Sequence, residues 1–221
     1  TLKELKKQLD EGFMEVKRGC MIAVSAISDI GDKILLSNGE EICYTKRKKK
    51  ALREELQKKQ ELMIAKISKK KLPLTPEEYG KYYKICDSLP FAFTDIEMVF
   101  NEEKKAVDWI FRYGNEALAT LEKLPLDKMI GNSFSSLFSN MDAKWLHVYE
   151  RATLYGETLE IMDYSPEIDT NLKIICFPTF PGHCGCILFN ADQMKSISEE
   201  NHLVRLAAVA MKVIPLYKEM L

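Results

Sequence analysis

The chain has 221 residues, of which 46% are apolar and 29% charged, a composition typical of soluble globular proteins and unlike that of disordered or fibrous chains. Its longest unbroken apolar run, Leu206–Met211, is far shorter than the ~20 residues that span a bilayer, which excludes a helical membrane protein. The formal net charge is −1, yet residues 46–71 hold twelve basic and three acidic side chains, so one strongly basic segment lies in an otherwise acidic protein.

Residues 1–46 are predicted to form a small α/β unit, in which one helix precedes a three-stranded β-meander. Leucines recur at helical spacing in the first eleven residues, and Met21–Ser28 has the apolar, β-branched character of a strand. Asn38-Gly39 lies between two apolar runs and predicts a hairpin, because a type I′ turn needs positive φ at both central residues. Three short strands are marginal alone, so we expect this unit to pack on another domain, another subunit or further sequence.

Residues 47–74 are predicted to be a basic helical linker, since Lys46–Lys71 has a narrow apolar stripe and many good helix formers. The alternative is that the segment binds nucleic acid or an anionic membrane surface. The lysines that would contact nucleic acid lie at its two ends: Lys48, Lys49, Lys50, Lys69, Lys70 and Lys71. No aromatic side chain lies between the clusters to stack on bases, so a solvated linker is the favoured interpretation.

Residues 75–194 are predicted to form an antiparallel α+β domain, followed by a C-terminal helix over residues 195–221. Thr75 and Pro76 have the types expected at the N-cap and first position of a helix. Two strands, then several short helices, then three strands follow in order. The predicted strands are Phe93–Phe100, Ala106–Tyr113, Thr158–Tyr164, Asn171–Phe180 and His183–Phe189.

Four motifs follow one another along residues 87–191: Asp95-Ile-Glu, Asn115-Glu-Ala, the Met129-Ile-Gly131 entry to a helix, and Asp163-Tyr-Ser-Pro. By these motifs and their order, residues 87–191 resemble a PAS sensory domain of the bacterial signalling type, and no family is recognised for residues 1–74. The resemblance implies a five-stranded antiparallel sheet whose concave face, covered by short helices, forms either a ligand cavity or a filled core. It also implies signalling through flanking helices and a homodimer, with an output domain such as a diguanylate cyclase elsewhere.

Aromatic and apolar side chains of this region are the candidates for a small-molecule pocket. They are Phe111, Tyr113, Phe134, Phe138, Trp145, Tyr149, Met162 and Cys176, with Asn115 as a polar group that would orient a ligand or hold a turn. In the second strand, Val107, Trp109, Phe111 and Tyr113 are expected to share one face at period two. The same residues fit a core without a cavity equally well, so both interpretations stay open.

No bound cofactor, no metal site and no catalytic activity are expected. His147 lies on the helix that carries the axial histidine in haem-binding relatives, but the ligand position falls nearer Trp145, about 200° away around a helix. The flavin-reactive cysteine motif of light-sensing relatives is absent. Cys184 and Cys186 alternate onto one strand face, away from His183, and are interpreted as buried thiols. Phosphate-loop, zinc-protease and hydrolase motifs are absent.

The sequence therefore predicts a cytoplasmic bacterial regulator with a PAS-like sensory domain that binds a small ligand or a partner protein. The scattered cysteines favour reduced thiols, which agrees with that location. The alternative is a nucleic-acid-associated regulator that uses residues 46–71 as its contact surface and the PAS unit as its dimeriser. A third interpretation is a redox sensor that acts through Cys184 and Cys186.

Overall fold

A computed structural model describes residue 9, residues 12–67, residue 73, residues 75–103, 105–139 and 143–193, and residue 210. The chain divides into two compact units, Thr1–Lys69 and Lys70–Leu221. The predicted N-terminal helix and Lys69, Lys70 and Lys71 fall outside the described residues, as does the predicted C-terminal helix except for Ala210. No helix in the described part of the chain is both long and apolar enough to cross a membrane.

The first unit contains two small antiparallel sheets and one helix. Its elements are β1 (Phe13–Lys17), β2 (Cys20–Ala23), β3 (Ile27–Ile30), β4 (Ile34–Leu36), β5 (Glu41–Ile42) and α1 (Lys49–Ile67). Strands β1 and β2 pair as a hairpin, and β3, β4 and β5 form a three-stranded meander. Aliphatic side chains from the strands and from the first turn of α1 form its core. They include Met14, Val16, Ile22, Val24, Ile27, Ile30, Ile34 and Leu52.

The hairpin predicted at Asn38-Gly39 is present, but its turn is not type I′, because Asn38 does not have positive φ. Gly39 has a φ of 85°, and its N–H donates to the Leu36 carbonyl at 2.9 Å, which closes the turn between β4 and β5. The single strand predicted over Met21–Ser28 is wrong, because a 3-10 turn at Val24–Ala26 separates β2 from β3. The basic helix is shorter at its start than predicted, since Lys46–Lys48 form a 3-10 turn ahead of α1.

The second unit is a five-stranded antiparallel sheet covered by short helices. Its strands are β6 (Ala92–Phe100), β7 (Ala106–Gly114), β8 (Leu159–Ser165), β9 (Thr170–Pro178) and β10 (His183–Asn190). Their order across the sheet is β7–β6–β10–β9–β8. Its helices are α2 (Pro76–Tyr82), α3 (Glu116–Glu122), α4 (Leu126–Met129), α5 (Phe134–Leu137) and α6 (Ala143–Tyr155). The mixed α+β class with several antiparallel sheets is therefore confirmed.

Apolar residues cover both faces of this sheet. One face, with Ile96, Trp109 and Phe111, packs against α3, α5 and α6 and is called the inner face here. The opposite face carries Phe93 and Phe177 and packs against the aromatic side chains that follow Thr75. The capping box predicted for α2 is present, because the Thr75 hydroxyl accepts from the Glu78 N–H while the Glu78 carboxylate accepts from the Thr75 N–H.

A β-bulge in β7 corrects the prediction that Phe111 and Tyr113 share one face. Asp95 of β6 lies opposite Tyr113, while the next residue, Ile96, lies opposite Phe111, so β7 has one extra residue between them. The bulge sends Phe111 to the inner face and Tyr113 to the other cluster. An extra residue in one strand reverses the alternation of side chains beyond it.

Candidate nucleic-acid interface

Contacts between α1 and the rest of the first unit fix the position of the basic segment Lys46–Lys50. Leu52 is buried in the core of this unit, and the Arg53 Nε donates to the Ile30 carbonyl of β3 at 2.8 Å. The Arg53 guanidinium also lies 3.9 Å from the Asp29 carboxylate. These contacts fix the direction in which α1 leaves the sheet, and they fix the position of the basic residues that precede it.

Ion pairs divide the cations of this segment into two groups. Lys46 and Lys49 both approach the Asp32 carboxylate, at 3.8 and 3.5 Å, and Lys50 lies 3.9 Å from Glu54 one helical turn later. Arg47 and Lys48 are exposed and have no carboxylate partner within the described ranges. The charges of Arg47 and Lys48 are therefore available for an external anion without the loss of an internal contact.

A second group of exposed cations lies at the tip of the β1–β2 hairpin. Lys17 ends β1, and Arg18 and Gly19 form the two-residue turn, where Gly19 has a φ of 81°. Lys17 and Arg18 are both exposed, and neither has an ion pair within residues 12–67. Lys17, Arg18, Arg47 and Lys48 are thus exposed cations without a carboxylate partner among the described residues of the first unit.

A comparison with family models gives one match, and it includes the residues that carry these exposed cations. Residues 1–57 match the model described as the LytTr DNA-binding domain (LytTR). The match contains the β1–β2 hairpin, the meander and the basic segment that precedes α1. The match covers 57 of the 221 residues, so it is a similarity of the first unit to that domain. A comparison with curated proteins gives no significant match.

The match overturns the assignment of residues 87–191 to the PAS family. The family detected is LytTR, a distinct DNA-binding fold, and it covers residues for which the sequence motifs suggested no family. A five-stranded antiparallel sheet does not by itself define a family, because the same architecture serves unrelated proteins. The prediction of a PAS sensory protein is therefore wrong.

The side chains predicted to form a pocket are only partly brought together. A cavity of about 30 Å³ lies on the inner face of the second unit, and four of the nine predicted residues line it. These four are Phe111, Phe134, Trp145 and Tyr149. Phe138 stacks on Phe134 at 4.7 Å between ring centroids and Cys176 belongs to the same core, but neither lines the cavity.

The other three predicted pocket residues lie elsewhere. Tyr113 is on the opposite face of the sheet, where its hydroxyl donates to Asp87 at 2.5 Å. Met162 is 60% exposed on the edge strand β8. Asn115 is buried but structural: its side chain caps α3 and bonds to the loop before β6, at Cys86 and Phe91. Its position favours the turn-holding alternative over the orientation of a ligand.

Asn115→Ala is expected to lower the free energy of unfolding of the second unit by about 2 kcal/mol, the sum of a lost N-cap and unpaired buried backbone groups. The Asn115 Oδ1 accepts from the Phe93 and Leu118 N–H groups, and its Nδ2 donates to two buried carbonyls. Chemical denaturation of both proteins measures the difference. Asn171→Ala removes an exposed asparagine that bonds to Asp192 and serves as the control. Equal stability of the Asn115 and Asn171 variants would contradict the structural role.

Two features of the second unit could not be seen in the sequence. The cavity is also lined by Glu122 and Glu167, two carboxylates among aromatic walls. Burial and the neighbouring Glu167 raise the pKa of Glu122 to about 7. On the other face, the His183 Nδ1 lies 2.7 Å from the Asp95 carboxylate, and both side chains are fully buried. Their separation of 88 residues leaves no local signal of the contact.

The histidine and thiols singled out in the sequence lie in ordinary surroundings. His147 is exposed on α6, whereas Trp145 of the same helix is buried. The Cys184 and Cys186 sulfurs are 3.7 Å apart on the inner face, as the alternation along the strand predicts. Burial raises the pKa of the Cys186 thiol well above its ordinary value, which keeps it protonated and weakly nucleophilic.

Proposed function

We propose that the protein is a DNA-binding regulator whose first unit contacts the phosphate groups of DNA through Lys17, Arg18, Arg47 and Lys48. The similarity of residues 1–57 to a LytTR DNA-binding domain is the observation that carries the proposal. The exposed, unpaired cations supply the chemistry that such binding needs, because phosphate contacts contribute most of the sequence-independent affinity for DNA. The role is one of binding, and no catalytic step is assigned to this chain.

The division of the cations into paired and unpaired groups determines which of them contribute to binding. Arg47 and Lys48 bind a phosphate without first leaving a carboxylate, whereas Lys49 keeps its contact with Asp32 and Lys50 its contact with Glu54. Arginine adds a planar fork of donors that matches a phosphate group. The proposal therefore assigns direct contacts to Arg47 and Lys48, and a supporting electrostatic role to Lys49 and Lys50.

The double variant Arg47→Ala/Lys48→Ala is expected to bind a mixed-sequence DNA duplex at least about tenfold more weakly than the wild type. Each lost phosphate contact reduces the magnitude of the slope of log K against log salt by about 0.9. The loss of two contacts should therefore reduce it by about 2. Fluorescence anisotropy across a salt series gives both quantities. Because all phosphate contacts are sequence-independent, the loss should be similar for duplexes of different sequence.

Lys49→Ala/Lys50→Ala is the matched control, because it removes the same net charge from the adjacent positions. We expect it to weaken binding less than Arg47→Ala/Lys48→Ala does. The slope of log K against log salt should change by less than about 0.9, the contribution of one phosphate contact. Circular dichroism verifies that both double variants remain folded. Equal losses in the two variants would show that only net charge matters and would overturn the assignment of direct contacts. Salt-independent binding, or no binding by the wild type, would overturn the proposed function itself.

A further inference from the structure

The cavity on the inner face of the second unit has walls of aromatic rings and a volume suited to a very small guest. Trp109, Trp145 and Tyr149 line it, and the Trp109 and Tyr149 rings meet edge to face at 5.1 Å between centroids. Its volume of about 30 Å³ accommodates about two or three water-sized groups. The electron-rich faces of such rings attract cations.

Two carboxylates line the same cavity, and one of them has an oxygen without a partner. The Glu167 Oε2 accepts from the Ser165 hydroxyl at 2.6 Å. The Glu167 Oε1 is fully buried and has no hydrogen-bond partner within the described residues. Glu122 lines the cavity from the last turn of α3. Most buried polar oxygens are hydrogen-bonded, and an unpaired one destabilises a protein. A ligand that donates a hydrogen bond to the Glu167 Oε1 would remove this cost.

The combination of these groups selects the charge and size of a guest. An anion would meet two carboxylates, and a purely apolar guest would leave the Glu167 Oε1 unpaired. A small ammonium group supplies three N–H donors together with a positive charge, which suits both the carboxylates and the aromatic walls. The small volume disfavours bulky quaternary ammonium ions.

We propose that this cavity binds the ammonium group of a small primary amine, with Glu167 and Glu122 accepting its hydrogen bonds and Trp109 and Trp145 forming its walls. This site is independent of the proposed contact with DNA, which lies in the other unit. No bond is made or broken, because the amine binds in its protonated form. The two carboxylates thus have a role in addition to packing.

The tryptophans provide a direct measurement, since the chain has two and both line the cavity. Titration with methylammonium chloride is expected to change tryptophan fluorescence saturably, whereas sodium chloride at equal ionic strength should not. Tetramethylammonium chloride should fail to saturate because of its size. In Glu167→Gln, which loses the charge but keeps the shape, the apparent Kd for methylammonium should rise at least about tenfold.

Glu116→Gln is the matched control, because Glu116 is an exposed residue at the start of α3. This variant should bind methylammonium with the same apparent Kd as the wild type. Thermal melting of each variant verifies that the second unit is folded. A wild-type response equal to that in sodium chloride would overturn the proposal and indicate that the carboxylates share a proton instead. Unchanged affinity in Glu167→Gln, or an equal loss in Glu116→Gln, would also overturn it.

Discussion

Asp95→Ala is expected to lower the free energy of unfolding of the second unit by about 3–5 kcal/mol, because several donors lose their acceptor and each unsatisfied buried group costs about 1–3 kcal/mol. Asp95 is fully buried and accepts hydrogen bonds from the Tyr83 hydroxyl at 2.7 Å and the Thr179 hydroxyl at 2.5 Å. Its other oxygen lies 2.7 Å from the His183 Nδ1. Alanine would leave the buried Tyr83 hydroxyl and His183 ring nitrogen without this acceptor, and would remove one acceptor of the half-buried Thr179 hydroxyl.

Urea denaturation followed by tryptophan fluorescence measures this loss, because Trp109 and Trp145 both belong to the second unit. Asp95→Asn keeps one acceptor oxygen and should be less destabilising than the alanine variant. Asp192→Ala removes an exposed carboxylate that accepts from Asn171, so its cost should stay below about 1 kcal/mol. A stability loss for Asp95→Ala no larger than that for Asp192→Ala would contradict the structural importance of the network.

Glu122→Gln is expected to stabilise the second unit by about 3 kcal/mol at pH 8 and to have little effect at pH 4. The pKa of Glu122 is about 7 in the folded protein against an ordinary value of 4.5, since burial and Glu167 disfavour its charged form. The folded state therefore binds this proton more tightly than the unfolded state does. The stabilisation from the protonated acid is fully present below pH 4.5 and is lost as the pH rises through 7. Glutamine does not titrate and escapes that loss.

The pH dependence of the urea midpoint, recorded for wild type and variant between pH 4 and pH 8, tests this sign. Glu116→Gln should give a curve parallel to that of the wild type, because Glu116 is exposed on the same helix. If the wild-type and Glu122→Gln curves are also parallel, Glu122 does not change its proton affinity on folding. A gain in stability at pH 8 would mean that the cavity keeps its acid at a cost to stability, as binding sites often do.

The parts of the fold that depend on a few neighbouring residues were predictable from the sequence. Asn38-Gly39 predicted a hairpin because glycine favours the positive φ that the turn needs. Thr75 predicted the start of α2 because its hydroxyl and Glu78 satisfy backbone groups within one turn. The α+β class followed from the order of such elements along the chain.

The features that depend on tertiary contacts were not predictable. The separation of Phe111 from Tyr113 is due to a bulge against β6, and apolar alternation within β7 carries no sign of it. The cavity carboxylates were missed because Glu122 and Glu167 lie 45 positions apart and become neighbours only when α3 meets the chain between β8 and β9. In the basic segment, composition could not separate Arg47 and Lys48 from lysines held by Asp32 and Glu54.

The contact between Asp95 and His183 has a consequence for the order of events during synthesis. Strand β6 lies between β7 and β10 in the sheet, yet 88 residues separate Asp95 from its histidine partner. At a ribosomal rate of roughly 5–20 residues per second, β6 waits about 4–18 s after it is made before β10 is complete. During that interval Asp95 has neither His183 nor Thr179 beside it, and one edge of β6 is unpaired. The sheet of the second unit can therefore close only after β10 has been made and has entered its centre.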